Sequence, residues 1–400
     1  PADAALIQYT SGSTARPRGV TLTHHNLARN CDVMTREYVF GLRESMTSWL
    51  PIYHDMGLIA ELLVAIYRAL PLFIMETQTF LQDPMSWFES ITRHKSTITH
   101  IPNFALAHSL RRISDAQLDQ LDLSSMRGIF LASEPIDPDL VARFTARFAR
   151  ARLNPDAVGG AYGLAEATVG VTRTEPGEGL SFDRVCRDSL ADGRATPAAQ
   201  HTAHVARIAC VGHLILDHLI QIVSERGDIL GEREVGEVWV SGASIMSGYW
   251  IDPVESKQVL IADESGRVWL KTGDLGYMVG GALHICGRLK ELVIIRGRNY
   301  HPEEIERCAE QVEGVRAGQA IAFSVPADGG EQIVLVCETS LPEEAHEGLR
   351  AALRAAVTHT MGLTAHHIML TPPNTTPKTT SGKRQRRLVR QRWLKHHGGA

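Results

Sequence analysis

The stretch "LIQYTSGSTARPRGVTLTHHNL", residues 6–27, sets the first constraint on this chain. Its apolar start, residues 6–9, reads as a short buried strand. The strand runs into a loop in which Thr10, Ser11, Gly12, Ser13 and Thr14 are closely followed by Arg16 and Arg18. Gly12 frees backbone N–H groups, and the hydroxyls add donors. Successive donors of this kind make a nest for an anion, most often phosphate. Arg16 and Arg18 would neutralise its charge, since a guanidinium grips phosphate with two parallel hydrogen bonds. The spacing is not that of a Walker A loop, which requires GxxxxGK[ST]. By itself the loop is equally a set of turn caps. A helix is expected from Thr23.

Working outward, the first 165 residues alternate strand and helix. "WLPIYHDMG" (49–57) reads as strand then turn, with a helix from Leu58. "RGIFLASEPI" (127–136) reads as strand then loop, and "DPDLVARFTARFAR" (137–150) as a helix. Such alternation predicts a layered α/β domain with parallel strands. Residues 173–204 are rich in Gly, Pro and polar residues, with little periodicity. Strand-like runs at 219–223, 236–242, 268–274 and 291–297 then predict a β-rich subdomain. A small unit closes the chain, with helices at 302–311 and 342–358, strands near 318–325 and 332–338, and a polar loop at 371–382.

The 400 residues, 44% hydrophobic with net charge −4, leave room for two or three domains. No acidic residue follows Glu347, and residues 383–395 hold seven basic ones. Such a tail is either a solvated helix or a site for an acidic or phosphate-bearing partner. Six cysteines lie far apart without a CxxC pair, which suits a reducing cytoplasm and suggests no zinc ribbon. His201 and His204 have no third ligand nearby in sequence. The most apolar run, 58–75, is broken by Glu61, Arg68 and Pro71, so no membrane span is expected.

Five motifs, in one order, resemble those of the adenylate-forming superfamily: acyl-CoA synthetases, luciferase and the adenylation domains of nonribosomal peptide synthetases. "YTSGSTARPRGV" resembles its phosphate loop, "YGLAEAT" (162–168) its adenine and magnesium motif, and "KTGDLG" (271–276) its ribose motif. "GRLKELVIIRGRNYHPEEIE" (287–306) resembles its hinge, and "PKTTSGKRQR" (377–386) its catalytic-lysine loop. Finer stretches resemble the fatty acyl-AMP ligases: "SWLPIYHDMGLI" (48–59), "LDLSSMRGIFLASEPI" (121–136) and "FDRVCRDSLADGRATPA" (182–198). The resemblance implies a large domain over 1–289, incomplete at its start, and a small mobile α+β domain over 290–400.

The resemblance also assigns roles. Thr10, Ser11, Gly12, Ser13, Thr14 and Arg18 would hold the phosphates of ATP. Ala15 and Arg18 depart from the family's usual Gly and Lys, and Ala restricts the loop backbone. Ser133, Glu134 and Pro135 would meet adenine, together with Ala161, Tyr162 and Gly163. Asp274 would accept from the ribose hydroxyls, with Arg288 beside it. Glu166 would hold Mg²⁺, a hard cation suited to carboxylate. Lys383 would carry adenylation, Lys290 would be the hinge, and His54 lies either near the acyl pocket or buried and satisfied. Trp87, Phe88, Ile101 and Phe104 either line an acyl tunnel or form ordinary core. Arg384, Arg386 and Arg387 are expected to be solvated, or a weak docking patch.

The implied reaction activates a fatty acid as acyl-AMP with loss of pyrophosphate. The acyl group then passes to the phosphopantetheine thiol of an acyl carrier protein. An extra segment, placed near 173–204, is expected to restrain the small domain and disfavour free coenzyme A. The alternatives are a fatty acyl-CoA ligase and a non-catalytic remnant. Nucleic-acid binding through the basic tail is a weaker third.

Overall fold

The structure, a computed structural model, describes residues 2–10, 17–36, 44–202, 204–295, 298–327, 330–378 and 384–397. Its main sheet has thirteen strands. Five short parallel strands form one end, in the spatial order Leu72–Ile74, Met46–Ser48, Ile98–Ile101, Gly128–Leu131 and Val158–Tyr162. Ile98–Ile101 and Gly128–Leu131 are buried at every position. That is the signature of a parallel strand covered on both faces.

The covering helices follow from sequence. Helix Pro138–Phe148 has Pro at its first turn and Asp137 as cap, whose carboxylate accepts from the N–H groups of Asp139 and Leu140. Leu140, Val141, Phe144 and Phe148 make its buried face. Each such side chain contributes about 1.5–3 kcal/mol by leaving water.

The predicted β-rich subdomain is not separate. Val158–Tyr162 pairs antiparallel with Thr172–Arg173, and the same sheet continues through Val205–Leu214, Ala282–Arg288, Val268–Val279, Gly236–Gly242 and His218–Val223. The join requires a close approach. A Cβ on Gly212, whose φ is +83°, would lie 1.9 Å from the carbonyl carbon of Arg173. Hydrophobic runs on either side of this join share one core. Periodicity alone does not report which strands become neighbours.

Three other expectations are corrected. Residues 6–9 do not form a buried strand of the main sheet. Strand Ala4–Thr10 has Gln8 as its one buried residue and pairs with Arg18–Thr23, a strand missing from the sequence reading. Its alternation, with Val20 and Leu22 fully buried, was the signal. The segment 173–204 is not featureless, because it holds strand Phe182–Cys186 and helix Arg187–Ala191. The helix expected from Leu58 is present but starts two residues earlier, as a π-helix over Met56–Leu63 that continues into an α-helix over Val64–Arg68.

Residues 293–371 build a second buried cluster, separate from the first. Strands Val315–Ala327 and Gly330–Thr339 pair antiparallel, and Ala365–Thr371 joins in parallel. Helices Pro302–Glu310 and His346–Met361 supply buried Ile305, Leu353 and Val357. Helix Arg386–His397 follows. Among the described residues no helix is long and apolar enough to cross a membrane.

Candidate functional site

The hairpin of the opening stretch sets Thr10 directly opposite Arg18. Ser11, Gly12, Ser13 and Thr14 lie outside the described residues, as does Lys383. Both flanks of the loop offer donors. Thr10 Oγ1 and Arg18 Nε are buried and find no hydrogen-bond partner among the described residues. Buried polar groups are normally satisfied, so an unfilled pair beside a Ser/Thr-rich loop fits an anion. The rest of the Arg18 guanidinium is engaged. It pairs with Glu255 at 2.7 Å, lies 3.8 Å from Glu166, and sits 4.4 Å from the Tyr249 ring centroid.

Glu166 lies in a short 3₁₀ turn, Ala165–Ala167, after strand Val158–Tyr162. Its side chain is 12% exposed and accepts a 2.8 Å hydrogen bond from the Tyr249 hydroxyl. Burial first, then the Glu166 charge, pushes the Tyr249 phenol well above its ordinary range. Tyr249 therefore stays a neutral donor to this carboxylate. The Glu166 backbone carbonyl accepts from Met246 N–H, which ties the turn to the neighbouring loop. Gly163 makes the turn possible, because a Cβ there would stand 1.6 Å from the Val169 carbonyl oxygen.

Asp274 is 6% exposed, on strand Val268–Val279. Arg288 is its cross-strand partner and donates through Nε at 2.8 Å. Tyr162 donates its hydroxyl to the other carboxylate oxygen, also at 2.8 Å. Residues from three separate motifs thus meet on one carboxylate. Burial and the adjacent Asp274 hold the Tyr162 phenol well above its ordinary range, so it too remains a donor. Each Asp274 oxygen keeps acceptor capacity for a hydroxyl ligand. Ala161 is the residue before Tyr162 and pairs with Arg173.

Ser133, Glu134 and Pro135 follow strand Gly128–Leu131. Ser133 adopts a left-handed φ of +76°, a strained value for a residue with a Cβ. The loop is fastened at its far side. Asn103 donates to the Pro135 carbonyl, and Phe104 N–H donates to Glu134 at 3.1 Å. Ser133 Oγ also contacts Met56 Sδ at 3.8 Å, so "YHDMG" abuts this loop. His54 is half-buried, with Nδ1 2.7 Å from Asp55. Trp87, Phe88 and Ile101 are wholly buried core, while Phe104 is only partly buried. Lys290 is exposed in the turn Leu289–Glu291.

The segment after Lys383 corrects an expectation. Arg384 and Arg386 are not solvated but sit in ion pairs with Glu291, Glu303, Glu306 and Glu310. Burial lowers the affinity of Lys378 for its proton, as does Arg384, while the charge of Glu134 opposes them. Lys378 is therefore within electrostatic reach of the loop 133–135. Tyr249, Glu255 and Asn103 were not singled out from sequence. "GYWIDPVES" (248–256) carried a signal, since Asp252 caps helix Pro253–Val259 and Glu255 lies in its first turn. Among the described residues no group of three or more His, Cys, Asp or Glu is arranged to hold a metal.

A family model described as AMP-binding enzyme matches residues 1–250. A medium-chain-fatty-acid–(acyl-carrier-protein) ligase of Teredinibacter turnerae is 34% identical over 410 residues, which cover 98% of this chain and 63% of that protein. A long-chain-fatty-acid–AMP ligase of Mycobacterium marinum is 34% identical over 409 residues, covering 97% and 69%. A structure from a study of fatty acyl-adenylate ligases of E. coli and L. pneumophila superposes with a TM-score of 0.92. It is 36% identical, and the match covers 100% of this chain and 71% of that one. The chain spans 63% to 71% of the length of these relatives.

Proposed function

The chain belongs to the AMP-binding enzyme family, and from that premise we propose that it carries the adenylating and transfer machinery of a fatty acyl-AMP ligase. The observation behind this reading is the meeting of Tyr162, Asp274 and Arg288 on one buried carboxylate. Glu166 and Arg18, which are paired with each other, supply the charged side of the same motif set. The names of the relatives, fatty-acid–AMP and fatty-acid–(acyl-carrier-protein) ligases, support the same substrate class.

Two steps follow. A fatty-acid carboxylate oxygen bonds to the α-phosphorus of ATP, the bond to the bridging oxygen breaks, and pyrophosphate leaves. A phosphopantetheine thiol of an acyl carrier protein then attacks the acyl carbon, AMP leaves, and the thiol proton passes to solvent. The first step needs charge neutralisation and in-line positioning more than covalent help. Thr10, Ser11, Gly12, Ser13, Thr14 and Arg18 would hold the phosphates, and Asp274 and Arg288 the ribose. Ser133, Glu134, Pro135, Ala161, Tyr162 and Gly163 would frame adenine. Mg²⁺, held by Glu166, would supply positive charge at the phosphates when bound. Lys383 would contact the reacting carboxylate and phosphate as a point charge on a flexible stem. His54, two residues before the Met56 that touches Ser133, would border the acyl carboxylate.

We place the boundary between the two units at 289/290, with Lys290 absorbing rotation between the steps. The segment 182–191 restrains that rotation. Arg187 donates to Glu304, to the Thr360 carbonyl and to the Val205 carbonyl. Arg298 pairs with Asp192 in support. Such restraint favours a carrier-protein thiol over free coenzyme A. All six cysteines are free, which fits a cytoplasmic setting. A carrier-protein acceptor accords with a role supplying acyl groups to polyketide or lipopeptide assembly.

The test is fatty-acid-dependent ATP–pyrophosphate exchange over several acid lengths, with Lys383→Ala as control. Exchange that needs both a fatty acid and Lys383 is expected. A folded chain that binds no ATP would overturn the reading. Equal acyl transfer to free coenzyme A and to a carrier protein would replace it with an acyl-CoA ligase.

A further inference from the structure

Arg386 lies three residues after Lys383 and is the most heavily paired cation among the described residues of this region. Its side chain is 13% exposed. Nε and Nη2 donate to the two oxygens of Glu306 at 2.6 and 2.8 Å. Nη1 donates to Glu291 at 2.5 Å and lies 2.9 Å from Glu303. Glu306 is fully buried and also accepts from Ala322 N–H, so its position is set by strand Val315–Ala327. Glu291 lies elsewhere, in the turn that follows Lys290. One guanidinium therefore joins the proposed hinge, helix Pro302–Glu310 and the chain that emerges from the lysine loop.

The emerging chain is held at further points. Arg384 pairs with Glu306 at 2.5 Å and with Glu310 at 2.8 Å. Lys378 and Arg384 form an antiparallel bridge, and Gln385 N–H donates to the Pro377 carbonyl. Upstream, buried Glu338 accepts from the N–H groups of Asn374 and Thr376. Both ends of the segment that contains Lys383 are thus anchored through buried carboxylates. Arg386 also reaches Glu291.

We propose that Arg386 is a positioning residue for the adenylation step, fastening the Lys383 segment to the turn after Lys290 so that the two move as one body. The inference rests on the function proposed for Lys383. It follows from geometry and from the chemistry of guanidinium. A planar fork with five donors fixes three carboxylates in relative orientation, which an ammonium does not. A flexible lysine is effective only when its base is held, because misplacement by about 1 Å costs on the order of a hundredfold in rate.

The experiment compares Arg386→Ala, Arg386→Lys and Glu291→Gln with the parent chain. Pyrophosphate exchange and acyl transfer from supplied acyl-AMP to a carrier-protein thiol are measured separately. Arg386→Ala is expected to lower kcat of exchange about tenfold or more, with KM for ATP changed less than twofold. Transfer from supplied acyl-AMP should change less than twofold. Arg386→Lys should recover little, since it restores charge without the fork. Glu291→Gln removes only the hinge end of the clamp and leaves Glu306 paired. It should lower kcat several-fold with an unchanged melting temperature, and it carries the test if Arg386→Ala does not fold. Exchange within twofold of the parent in Glu291→Gln, or equal loss of both half-reactions, overturns the proposal. Parent exchange indifferent to Lys383→Ala would instead remove the function reading beneath it.

Discussion

Asp274 illustrates how a single buried carboxylate organises a site. A 6%-exposed charge is costly unless paired. Arg288 and Tyr162 both donate to it, and each in turn owes its orientation to it. Asp274→Asn keeps the shape but loses the charge, and one amide face becomes a donor aimed at another donor. A hydrogen bond to a charged group contributes about 1.5–3 kcal/mol. The expected result is an ATP affinity lower by about tenfold or more, read by calorimetric titration, with the fold intact by circular dichroism. Undiminished affinity would remove Asp274 from the ribose role. Arg18 makes a similar point. Its departure from Lys is matched by a partner set that a guanidinium suits, namely Glu255, Glu166 and the face of Tyr249.

At the scale of an element, the turn after strand Val158–Tyr162 depends on one missing side chain. A Cβ on Gly163 would meet the Val169 carbonyl oxygen at 1.6 Å, and that oxygen is backbone, which cannot swing aside. Gly163→Ala must therefore displace the turn that carries Glu166. The expected cost is about 1–3 kcal/mol, typical of overpacking at a rigid site. It would appear as a melting temperature lowered by several degrees, with a higher Mg²⁺ requirement for exchange. A variant with parent melting temperature and parent Mg²⁺ dependence would show that the turn relaxes freely. The hairpin Ala4–Thr10 and Arg18–Thr23 behaves differently. Its register sets Thr10 opposite Arg18, so the two ends of the hairpin loop start side by side.

For the whole molecule, the question is how the two buried clusters are held against each other. Arg187, 13% exposed, crosses between them to Glu304 and the Thr360 carbonyl, and is steadied on its own side by the Val205 carbonyl. Arg187→Ala leaves Glu304 at the contact without its cation, and removing one member of a buried pair costs about 3–5 kcal/mol. The expected outcome is faster proteolytic cleavage near residues 289–292 and acyl transfer to free coenzyme A raised several-fold. Parent cleavage rates together with parent acceptor preference would show that this contact does not restrain rotation.

By itself the sequence determined the ancestry and most elements, because these rest on local information. Pro138 with Asp137 starts a helix wherever it stands, and "GEVWVSG" alternates as strand Gly236–Gly242 does. Hydroxyls and guanidinium groups around Gly12 point to an anion only in company with the other four motifs. Tertiary structure alone decided the partners. It placed Tyr249 under Glu166, joined the parallel and antiparallel strands into one sheet through Gly212, and paired Arg384 and Arg386 with carboxylates where a basic tail reads as solvated. Each of those outcomes depends on residues far apart in the chain, such as Arg386 and Glu291. Local propensity and periodicity carry no term for such pairs, whereas burial and charge neutralisation act only once the chain has closed on itself.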